Sequence, residues 1–259
     1  MIKINGIEVI LDKFGDGTLK CDYVDSNGRF MGNNPKFDIM WCYDNDGELF
    51  ALQCIVDYIK NKYVGSSIEL DLPYIPNARQ DRYVSNKLFT LKTFAKIING
   101  MGFDTVFVYD PHSDVSTALL DRCTSYPNAL KCDIPKSCVV MYPDAGAAKK
   151  YNVCEDKAII GKKHRNKDGI IDSYELLNFV KGTKSVVIRD DICSYGGTFV
   201  AAAKALRERG VERIVLIVSH CENNILKGDV LKYIDDVYTT DSICTVEHPH
   251  VHVIKRFRG

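Results

Sequence analysis

The chain has 259 residues, with 34 basic and 34 acidic side chains and no formal net charge. That length buries one large core or two modest ones, and the neutral balance speaks against a sequence-independent nucleic-acid binder. No apolar run reaches the roughly 20 residues that span a bilayer, so no membrane partner is expected.

Residues 2–24 alternate apolar and polar as a hairpin does, with a tight turn at GDG (15–17). FDIMWCY (37–43) reads as a buried strand. The helical period of 45–63 follows, with Asp46 as its cap. SIELDLPYI (67–75) is a strand, residues 85–102 a helix capped by Ser85 and stopped at Gly100 or Gly102, and TVFVYD (105–110) a further strand. SCVVMYPD (137–144) is a strand ending in an acid. The strand at 158–160 opens into a polar loop that carries Lys162, Lys163, His164 and Arg165. SYELLNFVKG (173–182) reads as a short helix. Then come the strand 185–191, a glycine-stopped helix that starts near Thr198, and the strand 211–221.

Strands alternating with helices imply parallel sheets, and ligands of such sheets bind at the carboxyl ends of the strands. The polar punctuation falls there: Asp110, Asp144, the Lys162 segment, Asp190 and His220. A boundary near 125–136 gives two similar α/β halves, with domains at 1–130 and 131–259. The ten cysteines show no CxxC pair and no zinc-finger spacing, which implies reduced thiols and a cytoplasmic location. His248, His250 and His252 alternate and would share one face of a strand.

One stretch, VVIRDDICSYGGTF, carries most chemistry. Its strand, its glycines Gly196 and Gly197, and the helix opening at Thr198 make a phosphate cradle of backbone N–H groups. The adjacent acids Asp190 and Asp191 are placed to accept hydrogen bonds from sugar hydroxyls. One ligand with hydroxyls at one end and phosphate at the other satisfies both.

This stretch resembles the 5-phosphoribosyl-1-diphosphate (PRPP) motif of type I phosphoribosyltransferases and of ribose-phosphate diphosphokinases. Further segments resemble only the second family: PYIPNARQDR (73–82), VYDPHS (108–113), YPDAGA (142–147), AIIGKKHR (158–165) and KFGDGTL (13–19). The resemblance implies two parallel-sheet domains of the type I phosphoribosyltransferase-like fold, the first binding ATP and the second the ribose phosphate. It implies transfer of the β,γ-diphosphate of ATP to the anomeric hydroxyl of ribose 5-phosphate, with Mg2+. By that likeness Arg79, Gln80, Asp81, Arg82 and His112 bind ATP, and Phe14 and Asp16 reach the adenine of a neighbouring subunit in a homo-oligomer. Lys162, His112 and Arg165 are the catalytic candidates, and His112 and Asp144 the metal candidates. Asp190, Asp191, Ser194, Tyr195, Gly196, Gly197 and Thr198 hold the ribose phosphate.

Ser194 and Tyr195 depart from that family's Asp-Thr, Thr18 stands where the family has an acid, and His164 where it has arginine. The tyrosine crowds a terminal phosphate or offers a stacking face. Some phage-encoded relatives use ADP-ribose in rebuilding NAD, and that acceptor is the alternative reading. A transferase that consumes PRPP and a non-catalytic regulatory paralogue are the others.

Overall fold

The computed structural model describes residues 1–22, 35–127, 130, 134–135, 137–151, 158–165 and 171–259, with backbone alone at positions 22, 165, 171 and 172. Two compact units divide the chain: Met1–Tyr126 with Arg258, and Pro127–Phe257 with Gly259.

The first unit contains β1 (Ile2–Ile4), β2 (Ile7–Glu8), β3 (Ile10–Lys13), β4 (Leu19–Asp22), β5 (Lys36–Trp41), α1 (Gly47–Lys62), β6 (Ser67–Leu72), α2 (Thr90–Met101), β7 (Thr105–Tyr109), α3 (Asp114–Leu119) and β8 (Cys123–Tyr126). Its main sheet runs β2-β1-β5-β6-β7-β8, parallel from β5 to β8. Strand β1 pairs antiparallel with β5, and a two-residue turn at Asn5 and Gly6 links it to β2. Both turn residues have positive φ, 50° and 82°, which matches the twist of a hairpin. Phe37, Ile39, Trp41, Leu52, Val56, Leu70, Leu91 and Ile98 form the core. Trp41 is fully buried, and its indole N–H donates to Glu48 Oε2 at 2.9 Å, so the one polar edge of the ring is satisfied. Strands β3 and β4 form a separate hairpin around residues 14–18.

The second unit contains β9 (Val139–Tyr142), α4 (Ala145–Lys150), β10 (Ile159–Arg165), β11 (Ile171–Leu177), β12 (Ser185–Cys193), α5 (Gly197–Glu208), β13 (Arg213–Cys221), a 3-10 helix (Asn223–Lys227), α6 (Val230–Tyr233), β14 (Asp236–Thr240) and β15 (Val251–Ile254). The sheet order is β11-β10-β9-β12-β13-β14-β15, parallel except for the edge pair β10–β11. The central strands β12 and β13 are apolar over Val186–Ile188 and Ile214–Val218, as buried strands of a parallel sheet are, and turn polar toward their carboxyl ends. Both units are α/β, in line with the fold class expected from the sequence.

Several local expectations are corrected. Residues 173–182 are not a helix: 171–177 form β11. Tyr174 and Leu176 face inward while Ser173, Glu175 and Leu177 are exposed, a period of two that pairs with β10. The run from Lys162 to Arg165 therefore lies on a strand, not on a loop. Ser85 does not cap a helix; it has φ 50°, Val84 and Lys87 bridge, and α2 begins only at Thr90. Gly102 does stop that helix in the left-handed region. Asp46 occupies the cap position of α1 without a side-chain cap bond, and Asn45 Oδ1 accepts from the Gly47 amide at 3.0 Å instead.

Candidate active site

Three carboxylates gather at the carboxyl ends of β9 and β12 in the second unit. Asp144 caps α4 by accepting from the Ala147 amide at 3.0 Å, and Lys163 Nζ lies 2.7 Å from its Oδ2. Burial alone would raise the Asp144 carboxyl, but Lys163 and the cap outweigh it and hold it below the usual value. Asp190 behaves in the opposite way. Burial and the charge of Asp191 push it well above the ordinary range, and Asp144 adds to the repulsion. Lys150 Nζ stands 3.7 Å from Asp191 Oδ1. Tyr174 closes the floor, donating to the Pro143 carbonyl at 2.7 Å. A Cβ on Gly161 would come within 2.0 Å of the Tyr174 hydroxyl and 2.6 Å of Pro143 O, so only glycine lets β10 pass under this ring.

The cradle follows β12 directly. Gly196, with φ 76°, takes the N-cap position of α5, and the first turn opens at Gly197 and Thr198. A Cβ on Gly196 would meet Val230 Cγ2 at 1.9 Å, and one on Gly228 would meet the Tyr195 carbonyl oxygen at 2.1 Å. The loop backbone is therefore pressed against residues 228–230, while the Tyr195 side chain stays 56 % exposed. Ser194 Oγ donates to Glu222 Oε2 at 2.5 Å. Beneath the loop lie Cys193, Cys221 and Cys244. All three are buried free thiols, and hydrogen bonding from Cys221 to Cys193 is the first cause of the raised Cys221 thiol. All eight described cysteines are free.

In the first unit, Asp81 is the hub. It is buried and accepts from Arg82 Nε at 2.8 Å, Arg82 Nη2 at 3.2 Å and Ser113 Oγ at 2.9 Å. The Arg82 bonds, chiefly, hold its carboxyl below the ordinary value, and the charge of His112 adds to them. Asp81 thus ties the ARQDR segment to the turn after β7. That turn begins at Asp110, which is buried and left-handed with φ 45°, a conformation that re-aims the chain toward an exposed His112. Arg79 is exposed, and Gln80 Oε1 accepts from Thr90 Oγ1 at 2.8 Å. An aromatic-lined cavity of about 410 Å³, with Trp41, Tyr43, Tyr83, Phe89 and Phe94 in its wall, adjoins the two ends of this segment. At the β3–β4 tip Phe14 is exposed, and Asp16 accepts from the Thr18 amide at 2.9 Å and hydroxyl at 2.6 Å. Thr18 therefore closes the turn itself.

The structure brings Asp144, Asp190, Asp191 and the 194–198 loop together on one unit, and Asp81, Arg82 and His112 on the other. Lys162 is exposed, 3.6 Å from Glu175, while Lys163 faces the acids. The Arg165 side chain lies outside the described residues. Tyr174 and Glu222 are the neighbours that sequence reasoning missed, while Lys163, named there only as one of four cations, is the one that the alternation of β10 singles out. The three histidines do not alternate along one strand: only His252 lies on β15, while His248 and His250 stand in the turn before it, and His250 and His252 lie 3.6 and 3.0 Å from one oxygen of Asp236. Among the described residues, no three His, Cys, Asp or Glu side chains converge to hold a metal ion. No helix of the described residues is long and apolar enough to cross a membrane.

The two parallel-sheet units define an α/β protein with the architecture of a phosphoribosylpyrophosphate synthetase. The solved synthetase from Mycobacterium smegmatis superposes with a TM-score of 0.73 at 18% identity, covering 96% of this chain and 86% of that one. In sequence, the chain is similar to ribose-phosphate pyrophosphokinases. The Thermosipho africanus protein of that name is 28% identical over 249 residues, 89% of this chain and 77% of the relative. The Campylobacter jejuni protein of the same name is 27% identical over 260 residues, 93% of this chain and 82% of the relative. No family model matches.

Proposed function

We propose that the protein is a diphosphokinase that moves the β,γ-diphosphate of ATP to the anomeric hydroxyl of a ribose 5-phosphate moiety. The observation that carries this reading is the Asp190–Asp191 pair set directly before the Gly196–Gly197 cradle at one strand end. The anomeric oxygen attacks the β-phosphorus, the bond from that phosphorus to the α,β-bridging oxygen breaks, and AMP departs with that oxygen. The hydroxyl proton is released to the medium. Such a step depends on positioning and on charge neutralisation more than on covalent help from the protein.

Each residue has a part in that positioning. Asp190 and Asp191 accept from the ribose hydroxyls, and the amides of 196–198 with the Thr198 hydroxyl receive the acceptor's phosphate. Arg79 and Arg82 offer planar donors to the nucleotide phosphates, with Gln80 beside them and Asp81 fixing the Arg82 fork. Lys162, Arg165 and His112 are the cations for charge developing on the transferred group, and Lys163 joins them from its place beside Asp144. Magnesium, when bound with the nucleotide, neutralises phosphate charge. The donor set fits it through Asp144, a hard oxygen ligand, with phosphate and water completing the shell. The His112 imidazole suits a phosphate oxygen better than this cation. Phe14 and Asp16, at the tip of the β3–β4 hairpin, would meet a nucleotide on a second copy, so a homo-oligomer is part of the proposal, as is a cytoplasmic setting.

The second reading keeps the chemistry and changes the acceptor to ADP-ribose. The exposed Tyr195 ring at the cradle favours it, since an aromatic face suits an adenosine extension. The test incubates the protein with ATP, Mg2+ and either sugar and follows AMP release. Turnover of at least one acceptor is expected; equal or better turnover of ribose 5-phosphate removes the ADP-ribose reading. No AMP release with either removes the diphosphokinase and leaves a binding paralogue.

A further inference from the structure

Glu222 has no part in the readings above, yet it stands at the mouth of the cradle. Its position follows from strand register: Cys193 and Cys221 are partners at the ends of β12 and β13, so the residues that follow them meet. The Glu222 amide donates to the Cys193 carbonyl at 2.8 Å, which pins the backbone. Ser194 Oγ donates to Oε2 at 2.5 Å, and Asn224 Nδ2 reaches the same oxygen at 3.4 Å. The wall continues through Ile225, fully buried, and the tight contacts of Gly228 with Tyr195 and of Val230 with Gly196. Glu222 is thus fixed on a packed surface rather than carried by a free loop.

A carboxylate there does two things to an anion site. It repels a terminal phosphate monoester, which bears between one and two negative charges near neutral pH. It also engages the Ser194 hydroxyl, a small donor the loop would otherwise turn toward phosphate. A phosphate esterified on both sides carries only one charge. If it continues into a nucleoside, it brings hydroxyl and amino donors that a carboxylate accepts. The exposed Tyr195 ring beside it then lies on the path of that extension.

We propose that Glu222 sets acceptor selectivity: it disfavours a terminal sugar phosphate and receives a hydroxyl or amino group from the nucleoside end of a nucleoside diphosphate sugar. The inference rests on the acceptor site proposed above and deepens its second, ADP-ribose reading. Calorimetric titration of ribose 5-phosphate and of ADP-ribose into wild type, Glu222→Gln, Glu222→Leu and Ser194→Ala tests it without requiring turnover. Wild type is expected to bind ADP-ribose at least ten-fold more tightly. Both Glu222 variants should narrow that gap at least ten-fold, mainly by tighter ribose 5-phosphate, whereas Ser194→Ala should leave the gap open. Three results overturn the assignment alone: equal binding of both acceptors by wild type, an unchanged gap in the two Glu222 variants, or the same narrowing in Ser194→Ala, which reduces Glu222 to a support for the loop. Binding of neither acceptor overturns the acceptor site itself, and Glu222 with it. Circular dichroism spectra matching wild type show that the variants are folded.

Discussion

Replacing Gly196 by alanine puts two separate strains on the cradle, and they can be told apart. A left-handed backbone costs an L-residue about 1–2 kcal/mol. The added methyl would stand 1.9 Å from Val230 Cγ2, an overlap that something must relieve, at about 1–3 kcal/mol. Gly196→Ala should therefore destabilise the second unit by roughly 2–5 kcal/mol. Val230→Ala alone removes two buried methyl groups and should cost about 2 kcal/mol. In the double variant the overlap disappears and only the backbone strain and a partly filled space remain. The two changes should then fall short of additivity by about 1–3 kcal/mol, as contacting side chains do. Urea unfolding of the four proteins by far-ultraviolet circular dichroism measures this. Trp41, the single tryptophan, lies in the first unit, so its fluorescence separately reports that unit and should be unchanged. Additivity within about 0.5 kcal/mol would refute the contact.

Asp190→Asn is expected to stabilise the fold and abolish sugar binding. Because the folded carboxyl is raised, its favourable contribution is complete only below its unfolded value and is lost as pH rises through the folded one. The variant should melt higher than wild type at pH 8, with the gain vanishing toward pH 4; a gain independent of pH contradicts the burial argument. Lys163→Met should depress turnover at least as much as Lys162→Ala, since Lys163 alone of the two meets Asp144. Parallel AMP-release rates decide it, and full activity in Lys163→Met rules out its part in the site. Tyr174→Phe loses the bond to Pro143 O and should cost about 1 kcal/mol in urea unfolding. A loss below about 0.3 kcal/mol would mean that water replaces the hydroxyl.

The parts of the fold legible in the sequence are those where burial dictates residue type over several positions. Strands β7 and β13 and the first half of β12 are apolar runs of a parallel sheet, β5 alternates because one of its faces is exposed, and Gly102 and Gly210 mark helix ends by their left-handed backbones. β11 was not legible, because YELLNF suits either period and only its partner on β10 decides. The start of α2 misleads for a related reason: Leu88 and Phe89 continue the helical apolar spacing, yet Leu88 is 73 % exposed and the chain turns at Ser85. Within the site, the acids and the glycines are contiguous and can be read directly. Glu222 lies 28 positions from Ser194, and nothing local announces their meeting. Lys162 and Lys163 look alike as letters, and strand alternation separates them.

The packing of the cradle also decides when its ordering entropy is incurred. Gly196 is seated on Val230 and Gly228 on the Tyr195 backbone, so the main chain that would face a phosphate is immobilised as the unit folds. A ligand then meets amides already aligned and need not order them, a saving of about 1–2 kcal/mol per residue relative to a loose loop. The Tyr195 ring, by contrast, is exposed. Discrimination between acceptors would thus fall to the side chains at the rim of the cradle, Glu222 on Ser194 and the exposed Tyr195, rather than to movement of the loop.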